Sequence, residues 1–162
     1  MHFVAVMQML ALLALANGSP VIAKRIFGNA CSSPLDGNAN FFDGHPLFGT
    51  SKTIRGVVVS LLVTALAAPI LGLEWRIGLL IGAAAMAGDL FSSFLKRRLG
   101  MPPSSRATGL DQIPESLFPL LACRSALSLS VVDIAVGCAI FFVGELLLSN
   151  LLFRLRLRDR PY

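Results

Sequence analysis

Within Gly88-Asp89-Leu90-Phe91-Ser92-Ser93-Phe94-Leu95-Lys96-Arg97-Arg98, a carboxylate, two hydroxyls and three cations close a long apolar run. On a helix, Asp89, Ser92, Ser93 and Lys96 fall at i, i+3, i+4 and i+7 and share one face. At about 1.5 Å per residue, Asp89 then lies roughly 10 Å deeper in the run than Lys96. An acid at such a depth in a membrane is costly and marks a functional site. A carboxylate among hydroxyls and cations suits a divalent ion that carries phosphates. Magnesium takes one or two carboxylates and fills its other positions with phosphate oxygens and water. Asp111, in the turn Gly109-Leu110-Asp111-Gln112, is the second metal candidate, with helix capping as its alternative. Glu115, one turn later, reads as stabilising a helix N-terminus through the dipole, and a third ligand is its other reading.

A second constellation is Gly49-Thr50-Ser51-Lys52-Thr53-Ile54-Arg55-Gly56. Thr50 or Ser51 can cap a helix whose free amides favour anions, and Lys52 and Arg55 add two cations one turn apart. Phosphate recognition uses that combination. The glycine spacing differs from the phosphate loop of nucleotide hydrolases, and membrane-flanking basic residues are the plainer reading. Asn17-Gly18-Ser19-Pro20 reads as a break at the inner end of the first helix, either a simple end or one that presents Asn17 to a polar site. Arg124 and Glu145, both inside apolar runs, are expected to pair and fix the packing of two helices. Asp36, Asp43 and His45 read as turn residues.

These groups need a membrane scaffold to hold them. Hydrophobic residues make up 55% of the 162 and charged residues only 14%, with mean hydropathy +0.74. Such a composition excludes an ordinary soluble domain. Charge-poor runs of about 20 residues predict helices over Met1–Ile22, Gly56–Leu73, Ile77–Leu95, Ser116–Val132 and Ile134–Phe153. The period-two alternation of a lipid-facing barrel is missing. The expected fold class is therefore an all-α integral membrane protein with five transmembrane helices, forming one domain over 1–162. The first run is expected to be retained rather than cleaved as a signal peptide, since no positive charge precedes it. Twelve of the fourteen Lys and Arg residues flank the loops Ala23–Arg55 and Lys96–Glu115 or form the Arg154–Arg160 tail. The expected topology has both loops and the C-terminus in the cytoplasm and the N-terminus outside. The isoelectric point of 9.7 then reflects topology and anionic headgroups, not nucleic acid. Cys31, Cys123 and Cys138 supply neither a disulfide framework nor zinc spacing. Phe41, Phe42, Leu47 and Phe48 predict that the first long loop is ordered against something. The arginine tail reads as an interfacial anchor.

Taken in order, Asn17-x-x-Pro20, Lys52-Thr53-x-Arg55-Gly56, Gly88-Asp89-Leu90-x-Ser92-Ser93-Phe94-x-Lys96-Arg97-Arg98 and Leu110-Asp111-Gln112 resemble the CDP-archaeol synthase family, a relative of the phosphatidate cytidylyltransferases. The resemblance runs through nearly the whole chain, including the five-helix layout. It implies an enzyme that transfers a cytidylyl group from CTP to a lipid phosphate, an unsaturated archaeal diether glycerol phosphate, with magnesium, giving a CDP-lipid and pyrophosphate. It further implies that Asp89 and Asp111 hold magnesium and form the catalytic centre with Lys96 and Lys52. Lys52, Arg55, Lys96 and Arg97 would hold phosphates. Asn17, Thr53, Ser92, Ser93 and Gln112 would contact nucleotide or phosphate oxygens. The implied partners are CTP, a membrane lipid phosphate and the bilayer, with the site on the cytoplasmic face of the cell membrane; a homodimer is left open. Thr50, His45-Pro46 and Pro114-Glu115 depart from the family's usual acid, basic pair and Asp-Phe, which keeps phosphatidate open as an acceptor. The reading from a different class is a small non-enzymatic channel or assembly factor, in which Asp89 lines a path or pairs with Lys96.

Overall fold

The computed structural model describes residues 2–28, 30–105 and 107–154, with side chains through Leu148. Five helices follow one another: α1 (Phe3–Phe27), α2 (Ile54–Ile70), α3 (Trp75–Arg98), α4 (Gln112–Ala122) and α5 (Val131–Arg154). Among the described residues there is no strand, only two isolated bridges, Pro34 with Thr53 and Asn40 with Pro46. By length and composition α1, α3 and α5 can each cross a membrane. Helix α2 is shorter at 17 residues.

Helix contacts are set by small residues. The buried face of α2 is Gly56, Ser60, Thr64 and Ala68, every fourth residue. It meets Gly78 and Gly82 of α3, where an added Cβ would stand 2.3 Å from the Thr64 carbonyl oxygen and 2.3 Å from Thr64 Oγ1 respectively. Backbones in lipid approach this closely only where side chains are missing, since packing rather than water exclusion drives them together. The apolar core lies where α1 brings Val6, Met9, Leu12, Leu13 and Ala16 against Ile81 and Ala85 of α3, Leu120 of α4 and Ile134 and Phe141 of α5. Val4, Met7, Val21 and Ile22 on the other side of α1 are exposed, as suits a lipid-facing surface.

One end of the bundle is fastened by direct bonds. The His2 backbone N–H donates to Asp133 Oδ1 at 3.0 Å, and Gln8 Nε2 donates to the Leu71 carbonyl at 2.6 Å. The other end carries the two long loops.

Three expectations about elements are corrected. Helix α1 does not break at Asn17–Pro20 but continues to Phe27 with Pro20 inside it. Proline costs one backbone bond, and the ring packs close to Gly56 of α2, where an added Cβ would lie 3.4 Å away. The fourth run is not a helix over Ser116–Val132. Helix α4 starts earlier and has 11 residues, roughly 16 Å at about 1.5 Å per residue. The chain then turns through Ser128, whose φ is +51°. Helix α5 begins at Val131 because Ser130 and Asp133 form a reciprocal cap: the Asp133 carboxylate accepts from the Ser130 N–H at 3.0 Å, and Ser130 Oγ accepts from the Asp133 N–H at 3.2 Å. Helix α2 is capped by Thr53, whose Oγ1 accepts from the Gly56 N–H at 3.1 Å, rather than by Thr50 or Ser51. The Arg156–Arg160 part of the expected anchor lies outside the described residues, as does the Arg154 side chain.

Candidate functional site

Polar groups converge where the C-terminal half of α3 meets α1, α4 and the two loops. Asp89 sits two turns above Lys96, and both Asp89 oxygens accept from Lys52 Nζ at 2.5 Å. Lys52 reaches there because the loop before α2 is pinned: its carbonyl accepts from the Leu35 N–H at 2.8 Å and its N–H donates to the Gly49 carbonyl at 3.2 Å.

Helix α4 delivers a second carboxylate to the same spot. Glu115, 7% exposed, is within hydrogen-bonding reach of Asp89 and also faces Lys52 and Glu145. Asn17 Nδ2 donates to Glu115 Oε2 at 3.1 Å. Gly88 permits the approach, because an added Cβ there would stand 2.3 Å from the Pro114 carbonyl oxygen and 2.8 Å from the Glu115 nitrogen. Two carboxylates in contact repel unless a cation or proton lies between them; Lys52 bonds Asp89 directly and reaches Glu115 only through its charge.

Asp111 belongs to a different pair. Its Oδ1 lies 2.7 Å from Lys96 Nζ, and its Oδ2 accepts from the Ala107 N–H at 3.0 Å. Lys96 also donates to the Ser105 carbonyl at 2.9 Å. The expectation that Asp89 and Asp111 share one ion is not met in this arrangement. The loop after α3 folds back under Lys96 and sets Asp111 level with it, so the next turn of the chain, at Glu115, is the one that reaches Asp89. Among the described residues no three His, Cys, Asp or Glu side chains gather in metal-binding geometry; Asp89 and Glu115 supply two.

Arg97 is 3% exposed, lies near Asp111, and has Nε and Nη1 without a hydrogen-bond partner among the described residues. Buried guanidinium donors are rarely left unused, and a fork of two free donors fits a phosphate. Beside it, Arg98 holds the first loop: its guanidinium lies 4.8 Å from the ring centres of both Phe41 and Phe94, donates to Asp43 at 2.8 Å and to the Pro46 carbonyl at 2.6 Å. The expected ordering of that loop is therefore present. Asp36 tightens it from within. Burial pushes its carboxyl up, but backbone N–H groups of Phe48, Gly49 and Asn38 outweigh this and hold it below its ordinary range.

The remaining candidates have mixed placements. Ser92 and Ser93 are buried, and Ser92 Oγ donates to the Asp89 carbonyl at 3.0 Å, back along its own helix. Thr53 is the α2 cap. Arg55 donates to the carbonyls of Gly28 and Ala30 and so organises the loop. Gln112 is buried and its Oε1 accepts from the Gly109 N–H at 2.7 Å, fixing the start of α4.

The expected Arg124–Glu145 pair is absent from the described ion pairs. Helix α4 ends before Arg124, which is exposed on the following turn, whereas antiparallel α5 carries Glu145 to the level of Glu115 at the opposite end of α4. Sequence reasoning gave Glu115 a dipole role first and a third metal ligand as the other reading. Its better signal was Gly88, a glycine beside a buried acid inside a helix, which marks a close approach by another backbone.

Comparison with known proteins agrees with this architecture. A family model described as CDP-archaeol synthase, CarS-like, matches residues 3–162. The CDP-archaeol synthase of Sulfurisphaera tokodaii is 34% identical over 153 residues, covering 91% of this chain and 89% of that one. The CDP-archaeol synthase of Pyrococcus furiosus is 38% identical over 107 residues, 60% of each chain. A solved structure, described as giving insight into an intramembrane enzyme for archaeal membrane lipids biosynthesis, superposes with a TM-score of 0.69 at 26% identity, covering 83% of this chain and 89% of the other.

Proposed function

The chain belongs to the CDP-archaeol synthase family, and from that premise we propose that it transfers the cytidylyl group of CTP to a membrane lipid phosphate of the archaeal diether glycerol type. An oxygen of the lipid phosphate bonds to the α-phosphorus of CTP. The bond from that phosphorus to the oxygen bridging to the β-phosphate breaks, and its electron pair leaves with pyrophosphate. Both reactants are polyanions, so the protein's work is neutralisation and alignment more than proton transfer.

The observation that supports this most is one inner polar zone holding the Asp89–Glu115 acid pair, Lys52, Lys96 and the buried Arg97 with two free donors. Arg97 would take phosphate oxygens through Nε and Nη1. Asp111 and the Ser105 carbonyl hold the Lys96 ammonium toward the same anions. Asn17 fixes the orientation of Glu115. Lys96 lies roughly 10 Å along α3 from Asp89, at about 1.5 Å per residue, a spacing suited to two phosphate groups held at once. Asp89 and Glu115 fit magnesium, because they are two hard carboxylates in contact, one of them already holding a cation, the Lys52 ammonium, and they leave further positions for phosphate oxygens. When bound, the ion would neutralise triphosphate charge and polarise the α-phosphorus.

With the clustered bases on the inside, this zone would lie at the cytoplasmic face of the cell membrane, where CTP is supplied. Helix α4 with the turn to Ser130 would complete a fourth crossing that α4 alone is too short to make, and α2 would cross with little margin.

The test incubates purified protein with labelled CTP, magnesium and a panel of ether and ester lipid phosphates. CDP-lipid is expected with the ether acceptor and is expected to disappear in Asp89→Asn and Arg97→Gln. Absence of CDP-lipid with every acceptor would overturn the assignment in favour of a non-enzymatic role.

A further inference from the structure

The ammonium of Lys52 stands 2.5 Å from both oxygens of Asp89 and faces Glu115. It occupies the position that the proposed reaction requires for a divalent ion. The backbone of Lys52 is held at both its N–H and its carbonyl, so departure from the pocket is a swing of a flexible four-carbon stem about a fixed pivot. Among the described residues, the other groups acting on Glu115 are acidic or neutral: Asp89 from α3, Glu145 from α5 and Asn17 from α1. With Lys52 in place Asp89 is neutralised, and a divalent ion gains little by entering. With Lys52 drawn onto a triphosphate, Asp89 loses its counter-ion beside Glu115 at the moment a metal–nucleotide unit arrives.

Resting on the reaction proposed above, we propose that Lys52 is an internal placeholder for the divalent cation, which blocks metal binding to the free enzyme and couples metal entry to nucleotide binding. The two ligands compete with and recruit the same side chain in opposite senses. Removing Lys52 therefore strengthens binding of the metal alone and weakens binding of the nucleotide alone. A merely structural lysine predicts a different pattern, since its loss disturbs the pocket and weakens both.

The experiment uses the full chain in lipid nanodiscs. Mn2+ binding without nucleotide is followed by electron paramagnetic resonance, and CTP binding with metal chelated is followed by calorimetry. For Lys52→Met and Lys52→Gln, Mn2+ affinity is expected to rise about tenfold, inside the roughly 5–150-fold range of ordinary site coupling, while CTP affinity falls. Unchanged or weaker Mn2+ binding in the variants overturns the proposal. So does tight Mn2+ binding by the wild-type chain alone, a measurement that stands even where a variant does not fold. If the wild-type chain makes CDP-lipid yet the variants show no gain in Mn2+ affinity, the placeholder role fails and the reaction stands. If the opposite shifts occur without any CDP-lipid, the reaction fails and the placeholder role stands.

Discussion

Gly88→Ala tests the geometry that joins α3 to α4. The new Cβ would stand 2.3 Å from the Pro114 carbonyl oxygen and 2.5 Å from its carbon, against 3.4 Å for ordinary contact. The obstacle is backbone on both sides, so the first turn of α4 must retreat by the shortfall, roughly 1 Å, rather than a side chain rotating away. A retreat of that size takes the 3.1 Å bond from Asn17 to Glu115 out of hydrogen-bonding range and moves Glu115 off Asp89. Overpacking of this kind costs about 1–3 kcal/mol of stability, while a misplacement near 1 Å at a reacting centre costs about 10²-fold in rate. The expected result is a folded protein with a modestly lower melting temperature and CDP-lipid formation down about a hundredfold. Gly78→Ala is the control: its Cβ meets the Thr64 carbonyl equally closely, at 2.3 Å, but lies ten residues earlier than Gly88 on α3 and far from the acid pair. It should lose stability with little loss of rate per folded molecule. Full activity in Gly88→Ala, or an equal rate loss in Gly78→Ala, would refute the claim that this close approach builds the site.

Glu115→Gln should reduce metal-dependent turnover as severely as Asp89→Asn, whereas Asp111→Asn should act mainly through Lys96 and be partly tolerated; equal loss in all three, with metal binding abolished by Asp111→Asn, would return Asp111 to the metal. Thr53→Ala should cost about 1 kcal/mol through loss of the α2 cap, with Thr53→Ser neutral; a raised KM for CTP without destabilisation would assign the hydroxyl to substrate. Arg98→Ala should release the loop from Asp43, Phe41 and Phe94, seen as proteolytic cleavage within residues 30–48 in the absence of substrate. Because the Asp36 carboxyl titrates below its ordinary range, its contribution to loop order is complete above the unfolded value of about 3.9 and is lost as pH falls through the lower folded value. Loop protection should hold from pH 7 to about pH 4 and then decline, while Asp36→Asn should be cleaved faster at pH 7 and lack that acid step.

The helical class and most of the membrane-crossing runs were legible because apolar length is a strong signal and charge interrupts it visibly. Polarity alone could not place the ends. Asp133 looked like the point where one helix gives way to the next, yet its carboxylate caps α5 from within the first turn, a bond that depends on Ser130 three residues earlier. Pro20 looked like a stop, yet the helix runs on because α2 offers it a glycine to pack against. The site was legible by residue type more than by pairing. Asp89, Lys52, Lys96 and Arg97 do gather at one end of the bundle. Which acid meets which lysine depends on where the loop after α3 folds back, and no local spacing encodes that. The contact of Glu115 was hidden for the same reason: its partner lies 26 positions earlier and is admitted by the missing side chain of Gly88.

Fastening the bundle at one end has a mechanical corollary. With the chain start tied to Asp133 and Gln8 tied to the end of α2, the helices are clipped together by neutral and capping bonds at the end away from the long loops. At the other end the ties are largely ionic, Lys52 to Asp89 and Lys96 to Asp111, so opening there requires a charged ligand to exchange for them. On the proposed reaction, a bulky lipid acceptor would be exchanged at that end while the apolar core stays packed.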